Sequence, residues 1–314
     1  MIKNKTFVIA EAGVNHNGNL SIAHKLIDVA AKSGADAIKF QTFNSKLIST
    51  KFAKLAKYQN KTSNYRNQID MLTQIELPLN SFKELSDHAK NKGLQFMSTA
   101  FDDESLDYLV NIVKVKILKI PSGEINNFQY LSKIKAKKLA IIMSTGASKF
   151  QDIISAYNFL SSKDKIIKNI RSIISSKKIL NSKFNNNLSI LHCTSEYPAP
   201  LKNLNLRFIQ KLKNFFPCNI GYSDHSKSLV VPSIAISLGS LIIEKHFTLN
   251  NKLKGPDHHM SLNPQQLKET IKNIRDSEIS LGSSRKKISS TELANKKIIR
   301  RFLVASTNIK KGEL

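Results

Sequence analysis

Eight short apolar runs recur along the chain, each followed by a stretch with helical spacing. The runs are TFVIAEAG (6–13), DAIKFQTF (36–43), LQFMSTAF (94–101), ILKIPSGE (117–124), LAIIMSTG (139–146), LSILHCTS (188–195), NIGYSD (219–224) and LIIEKHFT (241–248). Most are nearly continuous apolar runs, as expected of parallel strands buried on both faces. Amphipathic segments such as 20–33 and 80–93 lie between them, the second with Asn80 or Ser81 to cap its start and Gly93 to stop it. Segment 102–112 opens with acidic residues, which suit a helix N-terminus. About eight such units predict an α/β chain folded as a (β/α)8 TIM barrel. A doubly wound open sheet is the runner-up. No G-x-G-x-x-G follows the first run, which leaves a dinucleotide fold little support.

Three regions depart from this rhythm. Residues 44–79 form a long connection after the second run, of the kind that becomes an active-site lid. Residues 163–187 read as an extended basic helix and an Asn-rich loop, the pattern of a surface insertion rather than a membrane- or partner-binding helix. Beyond the last barrel helix, near 264–283, comes a basic linker (284–301). The stretch 302–314 then reads as a strand and turn opening a further module. The barrel domain is therefore expected over 1–283.

Composition narrows the choice. At 314 residues and 41% hydrophobic, the chain can bury a full core. It has two cysteines, Cys193 and Cys218, and no C-x-x-C, which argues against a disulfide scaffold and a cysteine-built zinc site. Both read as buried thiols. No apolar run approaches the roughly 20 residues of a membrane span. The N-terminus lacks a leader pattern, so a cytoplasmic protein with no membrane contact is expected. The net charge of +26 is spread along the chain with 7% aromatics and no Trp, unlike a nucleic-acid binder. It reads as a solvated basic surface that would also speed the arrival of an anionic substrate.

The candidate chemistry sits where the apolar runs end. GYSDHS (221–226) and EKHFTLNNKLKGPDHHMSLNP (244–264) each bring a histidine, His225 or His246, to such an end. If the barrel is right, Glu11, Lys39, Gln41, Thr99, Lys119, Ser122, Glu124, Ser144, Thr194, Ser223, Asp224, His225, His246 and, in the last loop, Asp257 converge on one face. Two lysines with several hydroxyls suit an anion carrying phosphate and carboxylate. Two neutral imidazoles suit a borderline divalent metal such as Mn, Zn or Fe. Glu11, Glu124 and Asp257 could move protons or orient a sugar. His16 and His192 read equally well as packing residues, and Tyr197 as a mouth residue or a turn anchor.

AEAGVNHNG, IKFQTF, STAFD, LKIPSGEINN, STGAS, LHCTSEYPAP, GYSDHS and EKHFTLNNKLKGPDH run in order from residue 7 to about 264. Together they resemble the sialic acid synthase family, the N-acetylneuraminate synthases and related nonulosonic acid synthases. The resemblance implies a (β/α)8 barrel joined to a C-terminal antifreeze-like domain, of which this chain holds only the start. It implies a homodimer and condensation of phosphoenolpyruvate with an N-acetylated amino sugar. The metal, typically Mn2+ with Mg2+ or Co2+ as substitutes, would be held by His225 and His246. Phosphoenolpyruvate would be gripped by Lys39, Thr99, Lys119, Ser122, Ser144 and Ser223, with Gln41, Ser195 and Tyr197 also on substrate positions. Glu11 and Asp257 would hold the sugar, and Glu124 would be the acid/base. N-acetylneuraminate synthesis is the leading reading. The alternatives are a legionaminate synthase using a 2,4-diacetamido-trideoxy-mannose, a metal-free Schiff-base aldolase on the same fold, and a catalytically impaired anion-binding barrel.

Overall fold

The computed structural model describes residues 5–55, 65–162 and 185–313. Each apolar run contains a strand: β1 (Phe7–Gly13), β2 (Ala37–Thr42), β3 (Gln95–Ala100), β4 (Ile117–Ile120), β5 (Ala140–Ser144), β6 (Asn185–Cys193), β7 (Cys218–Asp224) and β8 (Ile242–His246). All the ladders are parallel, in the order β3-β2-β1-β8-β7-β6-β5-β4, and β3 and β4 come into contact where the sheet closes on itself. This is the (β/α)8 barrel, and the open-sheet alternative is set aside. β4 stops earlier than its run suggested. Pro121 has no N–H to give a ladder, and the chain bends into a 3-10 turn over Ser122–Glu124.

The helices follow in sequence: α1 (Leu20–Lys32), α2 (Ser45–Ile48), α3 (Gln68–Ile75), α4 (Ser81–Asn91), α5 (Asp103–Tyr108), α6 (Phe128–Ala136), α7 (Phe150–Ser161), α8 (Phe208–Phe215), α9 (Val231–Ser237), α10 (Pro264–Leu281) and α11 (Ser290–Ile299). Their starts are chemically marked. Asn19 accepts from Ile22 N, and Asp102 accepts from Ser105 N, each satisfying a backbone donor of the first turn. Asn80 is the N-cap of α4 but makes no side-chain cap bond, while Gly93 takes φ +77° just past that helix, as the sequence anticipated.

Strand residues alternate between two cores because side chains switch face at every step. Val8, Ala10, Ile38, Phe40 and Phe96 point outward, into the layer under the helices. Ile9, Ala37, Met97, Ile142, Leu191 and Ile242 form a separate cluster inside the barrel, flanked by Phe7 and Ile117. Two residues further along each strand, the same inward face carries Glu11, Lys39, Thr99, Lys119, Ser144, Cys193, Ser223 and Glu244. All eight are buried, each at 6% exposure or less. The apolar cluster is the floor on which this polar layer stands.

In β7 the floor position is Gly221. A Cβ there would lie 2.5 Å from both the Ile242 carbonyl oxygen and Leu191 Cδ2. The space is already filled, and one of the neighbours is backbone. Gly221→Ala is expected to destabilise the protein by about 1–3 kcal/mol or more, as overpacked cores do. A urea titration that leaves the midpoint unchanged would show that the floor can yield.

The long connection after β2 carries α2 and α3. Its apolar side chains Phe43, Leu55, Met71, Leu72 and Ile75 gather with Val14 into a third cluster, with Phe101 packed against it. The chain thus gives this expected lid its own small core. The basic helix read over 163–187 lies almost wholly outside the described residues.

Two compact units divide at Ser280/Leu281. The second contains α11, closed at its start by a capping box in which Ser289 accepts from Glu292 N and Glu292 accepts from Ser289 N. The stretch expected to be a plain linker therefore includes a helix. No strand forms among the described residues 302–313, where one was expected; a single short strand with no neighbour has nothing to pair with. No helix among the described residues is long and apolar enough to cross a membrane.

Candidate active site

The parallel registers place the polar layer's members side by side. Glu11 stands beside Lys39 on one flank and His246 on the other, Gln41 beside Thr99, Cys193 beside Ser223, and Ser223 beside Glu244. They line a cavity of about 250 Å³ at the C-terminal end of the barrel. Of the residues singled out from the sequence, Glu11, Lys39, Gln41, Thr99, Lys119, Ser122, Ser144, Ser195, Tyr197, Ser223, His225 and His246 all border it.

Four buried charges form its base. Lys39 Nζ is 2.8 Å from Glu11 Oε2 and 3.6 Å from Glu244 Oε2, and it donates to Thr99 Oγ1 at 3.2 Å. Lys119 Nζ donates to Glu244 Oε1 at 3.2 Å, and Ser223 Oγ donates to the same oxygen at 2.8 Å. Burial opposes each charge, but the environments differ. Burial pushes the Glu11 carboxyl up to about 7, with Lys39 opposing. Glu244 also pays for burial, yet Lys119 and Lys39 outweigh that and hold it well below the ordinary carboxylate range. Burial lowers Lys119, partly offset by Glu244, whereas Glu11 and Glu244 overcome burial and raise Lys39.

Glu244 was missed as a site residue in the sequence, although its signal was present. It lies two residues before His246 and so shares the inward face of β8. Lys245, between them, points outward and pairs with Asp224 at 2.6 Å. Asp224 therefore belongs to the wall behind the site, despite its place at a strand end. Thr194 serves through its backbone: His225 Nδ1 donates to the Thr194 carbonyl at 2.7 Å. Cys193, expected only to be buried, lines the cavity with Sγ 3.8 Å from His225 Nδ1. Phe101 supplies an apolar wall shared with the cluster of the β2 connection.

The two histidines meet at the upper rim. Their ring centroids are 5.4 Å apart, and the Tyr197 ring lies 4.2 Å from that of His225. The bond from Nδ1 to the Thr194 carbonyl fixes the His225 ring and leaves its Nε2 free to be a ligand. His246 Nδ1 is buried with no hydrogen-bond partner among the described residues. Burial, aided by His225 and Lys39, lowers His246 well below the usual histidine value, which favours its neutral ring. Burial also works against a proton on His225, but Cys193 and the Thr194 carbonyl outweigh it and raise the His225 pKa above the usual histidine value. Gly13 marks where these groups converge. A Cβ at that residue would lie 3.4 Å from Glu11 Oε1, 3.5 Å from Gln41 Nε2 and 3.6 Å from His246 Cε1. Among the described residues no group of three or more His, Cys, Asp or Glu has metal-holding geometry. His225 and His246 are the two imidazoles at the rim that could hold an ion, with substrate or water in its other positions.

Two further predicted residues, like Asp224 and Thr194, stand apart from the cavity wall. Glu124 sits in the turn past β4, where Asn127 Nδ2 donates to it at 2.7 Å. Asp257, buried in the loop after β8, is pushed up to about 6 by burial, with His225 opposing. His258 is fully buried and bonded to Thr248 Oγ1 at 2.6 Å, and His192 bonds the Leu204 carbonyl at 2.7 Å, so both are packing residues. A wider groove of about 980 Å³ adjoins the cavity and shares Cys193 and Ser195 with it, but its lining among the described residues has no comparable set of buried charges.

Ser122 and Ser195 gather around Gly146, whose N–H donates to Ser122 Oγ at 2.9 Å. A Cβ on Gly146 would stand 2.1 Å from Ser195 Oγ and 2.9 Å from Ser122 Oγ. Ser144 Oγ, close by in sequence, is buried with no hydrogen-bond partner among the described residues, a donor held in reserve. Gly146→Ala is expected to displace both serines and raise KM for the anionic substrate roughly tenfold or more, since hydrogen bonds to charged groups are each worth about 1.5–3 kcal/mol. Steady-state kinetics check this; an unchanged KM would remove the serines from the site.

Strand-end carboxylates, lysines and hydroxyls at the C-terminal face of a TIM barrel define a class of enzymes that handle small anions. The model of the NeuB family matches residues 26–286, and the chain belongs to that family, the sialic acid synthases. It is 46% identical to the N,N'-diacetyllegionaminic acid synthase of Campylobacter jejuni, over 99% of this chain and 87% of that protein. It is 30% identical to the N-acetylneuraminate-9-phosphate synthase of Homo sapiens, over 98% and 80%. Among solved structures, the N-acetylneuraminic acid synthetase of Leptospira borgpetersenii superposes with a TM-score of 0.75 at 30% identity, covering 95% of this chain and 94% of that one.

Proposed function

We propose that the barrel condenses phosphoenolpyruvate with an N-acetylated amino sugar, giving a nonulosonic acid and phosphate. The observation that carries this reading is the buried polar layer, in which Lys39 and Lys119 stand beside Ser144, Ser223 and two carboxylates of opposite character. The lysines and hydroxyls hold the carboxylate and phosphate of phosphoenolpyruvate and meet negative charge as it develops. His225 and His246 would hold Mn2+, with Mg2+ or Co2+ as substitutes. When bound, the ion polarises the open-chain sugar aldehyde as a Lewis acid. The enol carbon of phosphoenolpyruvate attacks that aldehyde carbon. Water captures the cationic carbon left behind, and phosphate departs with cleavage of its C–O bond.

The chain's own groups do the remaining work. Glu11 stands against Lys39 and His246, where the sugar must enter. Asp257, near His225, is a second hold on the sugar. Glu11 and Glu124 are the two carboxyls in contention for the proton transfers. Glu11→Gln and Glu124→Gln assayed side by side separate them: the true acid/base loses kcat by about 10²–10⁴ and its limb of the pH profile. A loss in neither variant would require another group.

We favour a 2,4-diacetamido-trideoxy-mannose as the sugar, making the product a legionaminic acid. Relatives named for that product are 46% and 41% identical, against 30% for the human N-acetylneuraminate-9-phosphate synthase. N-acetylmannosamine is the second reading, supported by the likeness to the Leptospira synthetase. The reading carries with it a homodimer working in the cytoplasm, checked by light scattering and cell fractionation. The deciding assay mixes the chain with phosphoenolpyruvate, Mn2+ and each sugar, and follows phosphate release with and without chelator. Chelator-sensitive release with one sugar names the substrate. Chelator-insensitive release would point to Schiff-base chemistry, and anion binding without release on any sugar would point to an impaired barrel.

A further inference from the structure

We propose a second divalent-cation site on the outside of the barrel, between His24 of α1 and His88 of α4. The two Nδ1 atoms lie 2.5 Å apart, and the rings meet edge to edge, with centroids 4.8 Å apart and 26° between their planes. Each ring presents its other nitrogen to a carboxylate of the opposite helix. His24 Nε2 is 2.8 Å from Glu84 Oε1, and His88 Nε2 is 3.1 Å from Asp28 Oδ1. Lys92 Nζ, 2.8 Å from that same Asp28 oxygen, helps keep the carboxylate ionised.

The tautomers follow from these contacts. An ionised carboxylate only accepts, so each Nε2 carries the hydrogen. In a neutral imidazole the lone pair is then on Nδ1. Two such lone pairs face each other at 2.5 Å, which is repulsive unless a cation lies between them. Imidazole with its far N–H anchored to a carboxylate is the form that metal-bound histidine takes. Here both rings are held that way, each by the other helix. The arrangement therefore has a cation-binding polarity, with two nitrogen donors converging and two carboxylates behind them.

Two imidazoles suit borderline ions such as zinc, nickel or copper, with water in the remaining positions. Zinc–nitrogen bonds of about 2.0–2.1 Å at a tetrahedral angle place the nitrogens about 3.3 Å apart. The rings must then open by less than about 1 Å. Both side chains are on the surface, 24% and 22% exposed, and have room to do so. The ion would pin α1, which leads into β2, to α4, which leads into β3. This site is separate from the barrel mouth and does not depend on the reaction proposed for it.

Zinc alone is the probe, in equilibrium dialysis against the full chain carrying His225→Ala and His246→Ala. About one zinc per chain is expected to remain bound, and the ion is expected to raise Tm. Adding His88→Ala should abolish both effects, and adding Glu84→Gln should weaken binding by about 10–100-fold through loss of the orienting carboxylate. In the unaltered protein, His88→Ala should lower zinc stoichiometry by one, which guards against misfolding of the double variant. Zinc binding that survives His88→Ala in the chain already carrying His225→Ala and His246→Ala would overturn the proposal. So would the absence of binding with the pair merely sharing a proton, seen as histidine NMR signals that titrate and ignore zinc.

Discussion

His246→Ala and His225→Ala are each expected to cut Mn2+-dependent phosphate release by about a thousandfold, because a bound Lewis acid contributes several kcal/mol at about 1.4 kcal/mol per tenfold. The expectation rests on two observations. His225 is fixed by the Thr194 carbonyl so that one nitrogen remains free, and His246 is buried, held neutral and left with an orphaned nitrogen. A buried nitrogen with no partner, as on His246, is costly unless something else uses it. Isothermal titration with Mn2+ should show the ion lost together with activity. Full turnover in either variant would remove the metal from the mechanism. Loss of activity with Mn2+ affinity intact would turn the histidines into substrate ligands.

Glu244→Gln is the second large effect, on stability as well as catalysis. The change keeps the shape and removes the charge that faces both buried lysines, at 3.2 Å from Lys119 and 3.6 Å from Lys39. Removing one partner of a buried ionic cluster costs about 3–5 kcal/mol, because the remaining charge is left uncompensated. For a chain of this size that corresponds to a Tm fall on the order of 10 °C. Lys119, already lowered by burial, would lose its main support, and the grip on the anionic substrate would weaken with it.

The pH dependence has a definite sign. The Glu244 pKa is depressed on folding, so its contribution is present above its unfolded value near 4.5 and drains away as pH falls below it. Glu11 is raised to about 7, so its ionisation costs stability as pH climbs from about 4.5 through 7. Thermal melts between pH 3 and 8 should therefore show a shallower acid-side loss in Glu244→Gln than in the parent. An identical acid limb would mean that the carboxylate is not held by the lysines.

Much of the site was legible because strand ends and inward parity can be read from the chain. Glu11, Lys39, Thr99, Lys119, Ser144, Ser223 and the two histidines all fall on inward positions near the ends of apolar runs. Glu244 escaped because it stands inside its run, where a charge looks like an interruption of the strand. Its role depends on lysines contributed by two other strands, 125 and 205 residues away in sequence. Asp224 was drawn in for the opposite reason: strand-end position does not distinguish inward from outward until the parity of β7 is fixed by Ser223 and His225. Gly146 gave no signal, because its value lies in the space that Ser195 and Ser122 occupy. Glu124 left the strand end because Pro121 could not extend the ladder.

The sequence by itself determined the eight strand–helix units, the class of barrel and the family. Apolar periodicity, helix caps and motif strings are local properties that each segment carries alone. Only the tertiary structure decided which side chains share the barrel interior, how Lys39 and Lys119 divide their charge between Glu11 and Glu244, and that His24 meets His88. Those outcomes arise from closing the sheet. Closure places residues from distant segments within a few ångströms in a space without water, where burial and neighbouring charge, more than residue type, set what each group can do.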